Sequence, residues 1–174
     1  RSGVVAKILD SISMIPYIMP GSVIAITLLI AFNKPPIILS GTLAIMVIGL
    51  VIRRMPYTIR STAAILQQIP MSIEEAALSL GTSKAKAFYK VTIPMMAPGI
   101  ISGAILSWIT MISELATAIL LYTARTRTLT VEVYTQIIRG NYGIAAALAT
   151  ILTVLTTLSL LLFNYISKDQ DIAM

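Results

Sequence analysis

Four long apolar runs, each set apart by a polar segment, limit this chain more than any other feature. They cover about residues 12–32, 37–55, 95–122 and 142–166. A bilayer core of about 30 Å needs about 20 mostly apolar residues in a helix. Lipid offers the backbone no hydrogen-bond partners, so runs like these are expected to be helical. The fold class expected is an all-α integral membrane protein, a polytopic helical bundle in one domain over 1–174. Composition agrees: 57% of residues are hydrophobic and 11% charged, against roughly 45–50% and 25% in soluble domains. There is no cysteine and no histidine. That removes disulfides, thiol chemistry and histidine-based catalysis. A net charge of +6 would point to nucleic acid in a soluble protein. In a membrane protein it follows from basic residues gathered on the inner side, so no nucleic-acid partner is expected.

The longest polar interval runs from Pro70 to Gly99. Its spacing predicts two short helices hinged at Gly81. Ser72 with Glu75 three residues on makes a capping box. Ile73, Ala76, Ala77 and Leu80 then fall on one helical face. Gly81 follows as a stop in the left-handed region. Ser83 can cap the second helix, with Ala85, Phe88 and Tyr89 on its less polar side. Pro94 is placed to start the next helix. A plain connector between two spans is one reading of this segment.

The other reading comes from resemblance. Glu75-Ala76-Ala77, three residues, Gly81, nine residues, then Val91-Thr92-Ile93-Pro94 resembles the EAA loop of permease subunits of binding-protein-dependent ABC importers. The family pattern has isoleucine where Val91 stands and leucine where Ile93 stands. The resemblance extends further. Pro16 and Pro20-Gly21 match a Pro-x-x-x-Pro-Gly element. The segment Ser113 to Ala118 with Leu120-Leu121-Tyr122 is similar to a helix of ferric-iron-type permeases. Gly143 to Ala147 is similar to the start of the family's last span. The resemblance implies the type I ABC importer permease fold, with a cytoplasmic coupling-helix loop at about 70–94. It implies an ATPase-coupling role for Glu75, Ala76, Ala77, Gly81, Phe88, Val91 and Pro94, and a translocation path that includes Glu114 and Tyr122.

Within the runs, Pro16, Pro20 and Gly21 interrupt the first, where a kinked packing helix is expected. Asn33 to Pro36 is a turn. Gly41 and Gly49 are expected as small packing positions of the second run. That run is short for a span. It is expected to continue, with Arg53 and Arg54 snorkelling to the interface, a kink at Pro56, and Tyr57 to Gln68 carrying the helix into the cytoplasm. Glu114 is the one acidic residue inside a run. An intramembrane carboxylate marks a functional site by default; pairing with a basic group to hold the bundle is the alternative. Leu129 to Ile138 has the period of a short external helix. Lys168 to Met174 reads as a polar tail.

If the Glu75 loop is cytoplasmic, the inner side holds Arg1, Lys7, Arg53, Arg54, Arg60, Lys84, Lys86, Lys90 and Lys168, and the outer side Lys34, Arg125, Arg127 and Arg139. That bias agrees with a cytoplasmic loop, and the resemblance implies a multi-pass protein of a bacterial or archaeal inner membrane. The chain opens on Arg1 without a signal-peptide pattern. It is expected to be a piece or half of a longer permease.

No catalytic signature is present, and no Gly-x-x-x-x-Gly-Lys-Ser/Thr loop to cradle phosphates. A non-catalytic subunit is expected, with no cofactor of its own and with ATP held by a partner. The resemblance implies a cytoplasmic ABC ATPase dimer, a second permease subunit or half, an extracytoplasmic substrate-binding protein and membrane lipid as partners. For substrate it points to ferric iron, or to a phosphonate, sugar phosphate, polyamine or thiamine. Ferric iron takes hard oxygen ligands, which a chain without His or Cys can offer. A small channel or secondary transporter without an ATPase is the alternative from another class.

Overall fold

The computed structural model describes residues 4–171, and all regular structure among those residues is helical. Arg1 and the tail residues 172–174 lie outside them; residues 168–171 are the end of the last helix rather than a loose tail.

The first apolar run is two helices rather than one kinked helix. α1 (Val4–Ile18) and α2 (Gly21–Ala31) meet at a bend of 102°. Pro20 causes it, because the residue before a proline is pushed out of the helical region. Met19 therefore leaves α1, and Pro20, extended at ψ 140°, leads into α2. Pro16 is accommodated inside α1.

α3 (Leu43–Gln68) runs unbroken through Pro56. Thr42 caps it by accepting the Ile45 N–H. Gly41, expected to be a packing position, lies instead in the preceding turn at φ +78°. Gly49 does pack: a Cβ there would come within 2.9 Å of Leu121 and 3.1 Å of Leu28. Around it lies the apolar core, Ile24, Ala25 and Leu28 of α2, Ile45 and Met46 of α3, and Leu121.

α4 (Met71–Ser79) and α5 (Lys84–Ala87) follow. Pro94 lies in the first turn of α6 (Ile93–Ile112), as expected, but α5 and α6 are not separate. α5 passes through one widened turn, Phe88–Thr92, into α6. In that turn the Ile93 N–H reaches back five residues to the Phe88 carbonyl. The widening falls where Pro94 has no N–H to give to an ordinary helical turn. The result is one helix, Lys84–Ile112, of 29 residues, about 43 Å at 1.5 Å per residue. α6 lies along α3 so closely that a Cβ on Gly103 would sit 2.5 Å from the Thr58 Cα, and one on Gly99 2.9 Å from the Ser61 carbonyl oxygen.

The third run also breaks. After Ile112 the chain leaves the helix until α7 (Ala118–Leu121). The Thr130 hydroxyl donates to the Ile112 carbonyl at 2.9 Å, closing off the end of α6. α8 (Leu129–Ile138) has the boundaries that its period indicates, and Thr128 caps it. Beside it Arg127 and Glu132 pair at 2.6 Å. The Arg127 hydrogen bond, with a second from Gln136, holds the Glu132 carboxyl below the usual carboxylate range. α9 (Tyr142–Asp171) completes the chain.

Lys84–Ile112 and Tyr142–Tyr165 are long and apolar enough to cross a membrane, and the bent α1–α2 pair makes a third if it counts as one span. α9 keeps large apolar side chains such as Leu155, Leu158 and Leu162 more than half exposed, as a surface that meets lipid or another subunit does.

Candidate functional site

The Pro70–Gly99 segment is an exposed bracket. Ile69 precedes a proline and is extended, as is Pro70, so α3 stops at Gln68 and α4 starts at Met71. Ser72 therefore sits inside the first turn, and the capping box with Glu75 does not form. Helix α4 has no side-chain cap. The earlier start also changes the face. Met71, Ser72, Glu75, Ala76 and Ser79 point outward, while Ile73, Glu74, Ala77 and Leu78 are half-buried. Of the four residues expected on one face, Ile73 and Ala77 are half-buried, while Ala76 and Leu80 are exposed, Leu80 by 86%.

Gly81 ends α4 at φ +81°, and a Cβ there would meet nothing within 4 Å. The glycine is thus required by the backbone angle, not by space. The Ser83 hydroxyl accepts the Lys86 N–H at the start of α5. Phe88 and Tyr89 stack edge to face at 5.7 Å and are both exposed. Val91 is half-buried in the widened turn, and Pro94 is exposed on α6. Glu75, Ala76, Gly81 and Phe88 thus lie on open surface of one bracket, whose second arm is the start of the 29-residue helix.

The second site is internal. Glu114 is only 5% exposed and lies in the break after α6. Its Oε1 accepts the Thr117 N–H at 3.2 Å and the Thr117 hydroxyl at 3.3 Å. This local bond competes with helix continuation and prepares the start of α7. Its Oε2 is bound by two arginines of α3: Arg53 Nε at 3.2 Å, and Arg54 Nη2. The arginines do not snorkel outward as expected. They turn in, because a buried carboxylate needs a cation more than the apolar end of α3 needs to expose one. The orientation bias then rests on the other basic residues.

Neighbouring polar groups steady the cluster. Ser107 of α6 donates to the Arg54 carbonyl at 3.0 Å, and its hydroxyl lies 3.1 Å from that of Thr58. The Arg54 guanidinium lies 5.9 Å from the Tyr57 ring centre. Tyr122 does not join this cluster in any hydrogen bond. Its ring packs against the apolar core and lies 5.7 Å from the Arg127 guanidinium. Sequence reasoning missed Arg53 and Arg54 as site residues. The signal was there: one carboxylate and one adjacent arginine pair in two different apolar runs. Among the described residues no group of Cys, His, Asp and Glu side chains could hold a metal ion.

A family model for the inner membrane component of binding-protein-dependent transport systems matches residues 1–171. The chain belongs to that family. This permease is 31% identical over 166 residues to the ferric transport system permease protein FbpB of Actinobacillus pleuropneumoniae, covering 95% of the chain and 24% of that protein. It is 29% identical to the probable transport system permease protein NifC of Clostridium pasteurianum, over 98% of the chain and 64% of that protein. It is 32% identical to the molybdate/tungstate transport system permease protein WtpB of Thermococcus kodakarensis, over 86% of the chain and 58% of that protein. The permease chain thus spans from a quarter to under two thirds of these relatives. In fold it is similar to the inward-facing MetNI methionine ABC transporter, with a TM-score of 0.78 at 18% identity, covering 95% of this chain and 76% of that one. A bacterial ABC transporter that imports alginate gives 0.77 at 16% identity, covering 97% and 68%. The fold is that of the type I ABC importer permeases.

Proposed function

We propose that this chain forms part of a substrate translocation path and couples it to a partner ATPase. The observation that carries this reading is the bracket: an exposed α4, a left-handed glycine, and an α5 continuous with the long apolar α6. Load applied to α5 passes into α6 along one continuous helix, and α4 is joined to it across the Gly81 turn. Glu75, Ala76, Ala77, Gly81, Phe88, Val91 and Pro94 are the proposed coupling residues, on the cytoplasmic side of an inner membrane. Glu75 offers a charge to a basic residue of the ATPase, and Phe88 an apolar anchor. Glu114 and Tyr122 are proposed on the path side. The partners are an ABC ATPase dimer that binds the ATP, a second permease subunit or half, an extracytoplasmic binding protein, and lipid. On this reading the chain is a non-catalytic subunit and ATP hydrolysis belongs to the partner. Ferric iron or molybdate/tungstate is the cargo that the names of the relatives suggest, and a phosphonate or another small solute is the wider class that the sequence resemblance implies.

Gly81 tests the proposal. Valine at φ +81° is strained by about 1–2 kcal/mol, with no clash to obscure the result. Gly81→Val is expected to insert normally in the membrane, to weaken co-purification with the ATPase about tenfold, and to lose uptake in a permease-null cell. Gly81→Asn tolerates that backbone region and should retain most of both. Wild-type assembly and uptake in Gly81→Val would reduce the segment to a connector.

Glu75→Gln is a cleaner probe than the sequence promised, since no capping box depends on this side chain. Removing its charge should weaken ATPase docking by about 1–3 kcal/mol if the partner bond is charge-assisted. Equal ATPase retention at low and high salt, in both wild type and variant, would count against a charged contact.

A further inference from the structure

The buried cluster holds more donors than acceptors. Arg53 and Arg54 carry two permanent positive charges, and Glu114 returns one negative charge. Both Glu114 oxygens are already engaged, Oε2 by the two arginines and Oε1 by Thr117. Two guanidinium nitrogens, Arg53 Nη1 and Arg54 Nε, are shielded from solvent and have no hydrogen-bond partner. Such groups are uncommon in native structures and point to a missing acceptor. The start of α2 adds to the imbalance. Arg53 Nη1 lies so close to Gly21 that a Cβ there would be 2.0 Å away, and α2 has no side-chain cap to offset the positive end of its dipole.

This balance disfavours a cation. A metal ion or polyamine would find a saturated carboxylate and two repelling guanidinium groups. It suits an anion, because the planar guanidinium fork matches the oxygens of phosphate-like groups. There is also an approach. A cleft of about 710 Å³ between α1, α3 and α6 has mostly apolar walls, with Tyr17, Tyr57, Arg60 and Ser61 as its polar members. Arg60 is paired there with Asp10 at 3.4 Å. Tyr57 is shared: it lines the cleft on one side, and the Arg54 guanidinium lies near its ring. The two arginine side chains keep 20% and 14% exposure, so the cluster borders the surface.

We propose that Arg53 and Arg54, with Glu114 as their fixed counter-charge, bind an oxyanion group of the transported solute as it passes the Tyr57 end of this cleft. The proposal rests on the permease reading above and narrows its substrate class to anions or anionic complexes.

The test uses the transporter purified with its ATPase and partner subunit in lipid nanodiscs. Phosphate, sulfate, molybdate and methylphosphonate are the anionic probes; spermidine and thiamine are the cationic ones. Binding is read by calorimetry and by the shift in melting temperature. At least one oxyanion is expected to bind and raise the melting temperature, and neither cation should. Arg53→Gln leaves a one-to-one Arg54–Glu114 pair, so it should fold. It should weaken oxyanion binding about tenfold or more, the loss of one charge-assisted pair. Arg53→Lys keeps the charge without the fork and should fall between; it decides the matter if the glutamine variant does not fold. No binding by any oxyanion, binding by the cations instead, or wild-type affinity in the Arg53 variants would overturn the proposal. Failure of the permease reading would appear separately, as absent ATPase co-purification in the wild type.

Discussion

Glu114→Ala is expected to be the most destabilising single change in the chain. It leaves Arg53 and Arg54 buried side by side with no counter-charge and frees the Thr117 N–H and hydroxyl. Removing one partner of a buried ion pair costs about 3–5 kcal/mol. For a chain of this size that corresponds to a drop in melting temperature on the order of 10 °C. Glu114→Gln should cost less, since its amide oxygen can still accept from Thr117. The Glu114→Ala, Arg53→Gln double variant should recover part of the loss by removing one orphaned charge. Melting curves in detergent, read by size-exclusion recovery of the tagged protein after heating, separate the three. Equal melting of Glu114→Ala and wild type would show that the cluster contributes nothing to the fold.

Gly103→Leu should open the seam between α3 and α6. The obstacle is backbone: the Cβ would sit 2.5 Å from the Thr58 Cα and 3.2 Å from the Thr58 N. No rotamer change can relieve that contact, so the helices must part. Overpacking of this kind costs about 1–3 kcal/mol, and more where the neighbour cannot yield. The Thr58–Ser107 contact at 3.1 Å and the Ser107 bond to the Arg54 carbonyl lie one turn further along and should go with it. The chain has no cysteine, so a disulfide can report the separation cleanly. Thr58→Cys with Ser107→Cys should cross-link readily on mild oxidation. The same pair in Gly103→Leu should cross-link slowly or not at all. An unchanged cross-linking rate would mean that the seam is looser than the glycine contacts indicate.

Some features could be read from neighbouring residues alone. Gly81 adopts the left-handed angle that its place after Leu80 indicated, Ser83 caps α5, and α8 covers Leu129 to Ile138. Each depends on interactions a few residues apart, and the backbone bonds of a helix end are of that kind. Local rules failed where two of them competed. Ser72 has the residue type and spacing of a cap, but Pro70 two residues earlier sets the helix start. Pro94 does stand in the first turn of α6, where its residue type suits it; what no local rule gave is the widened turn that joins α6 to α5.

The sequence by itself determined that this chain is a helical membrane protein of the importer permease family. Apolar run length and loop spacing are properties of the linear order, and lipid leaves the backbone few alternatives. Only the tertiary structure decided what Glu114 is for locally. The run around it reads as one span, and Arg53 and Arg54 read as interface anchors. In the fold, the break after α6 places the carboxylate against α3, 60 residues away in sequence from Arg54. The free energy of bringing these charges together depends on which groups each leaves without water. That balance is a property of packing, so no local pattern records it.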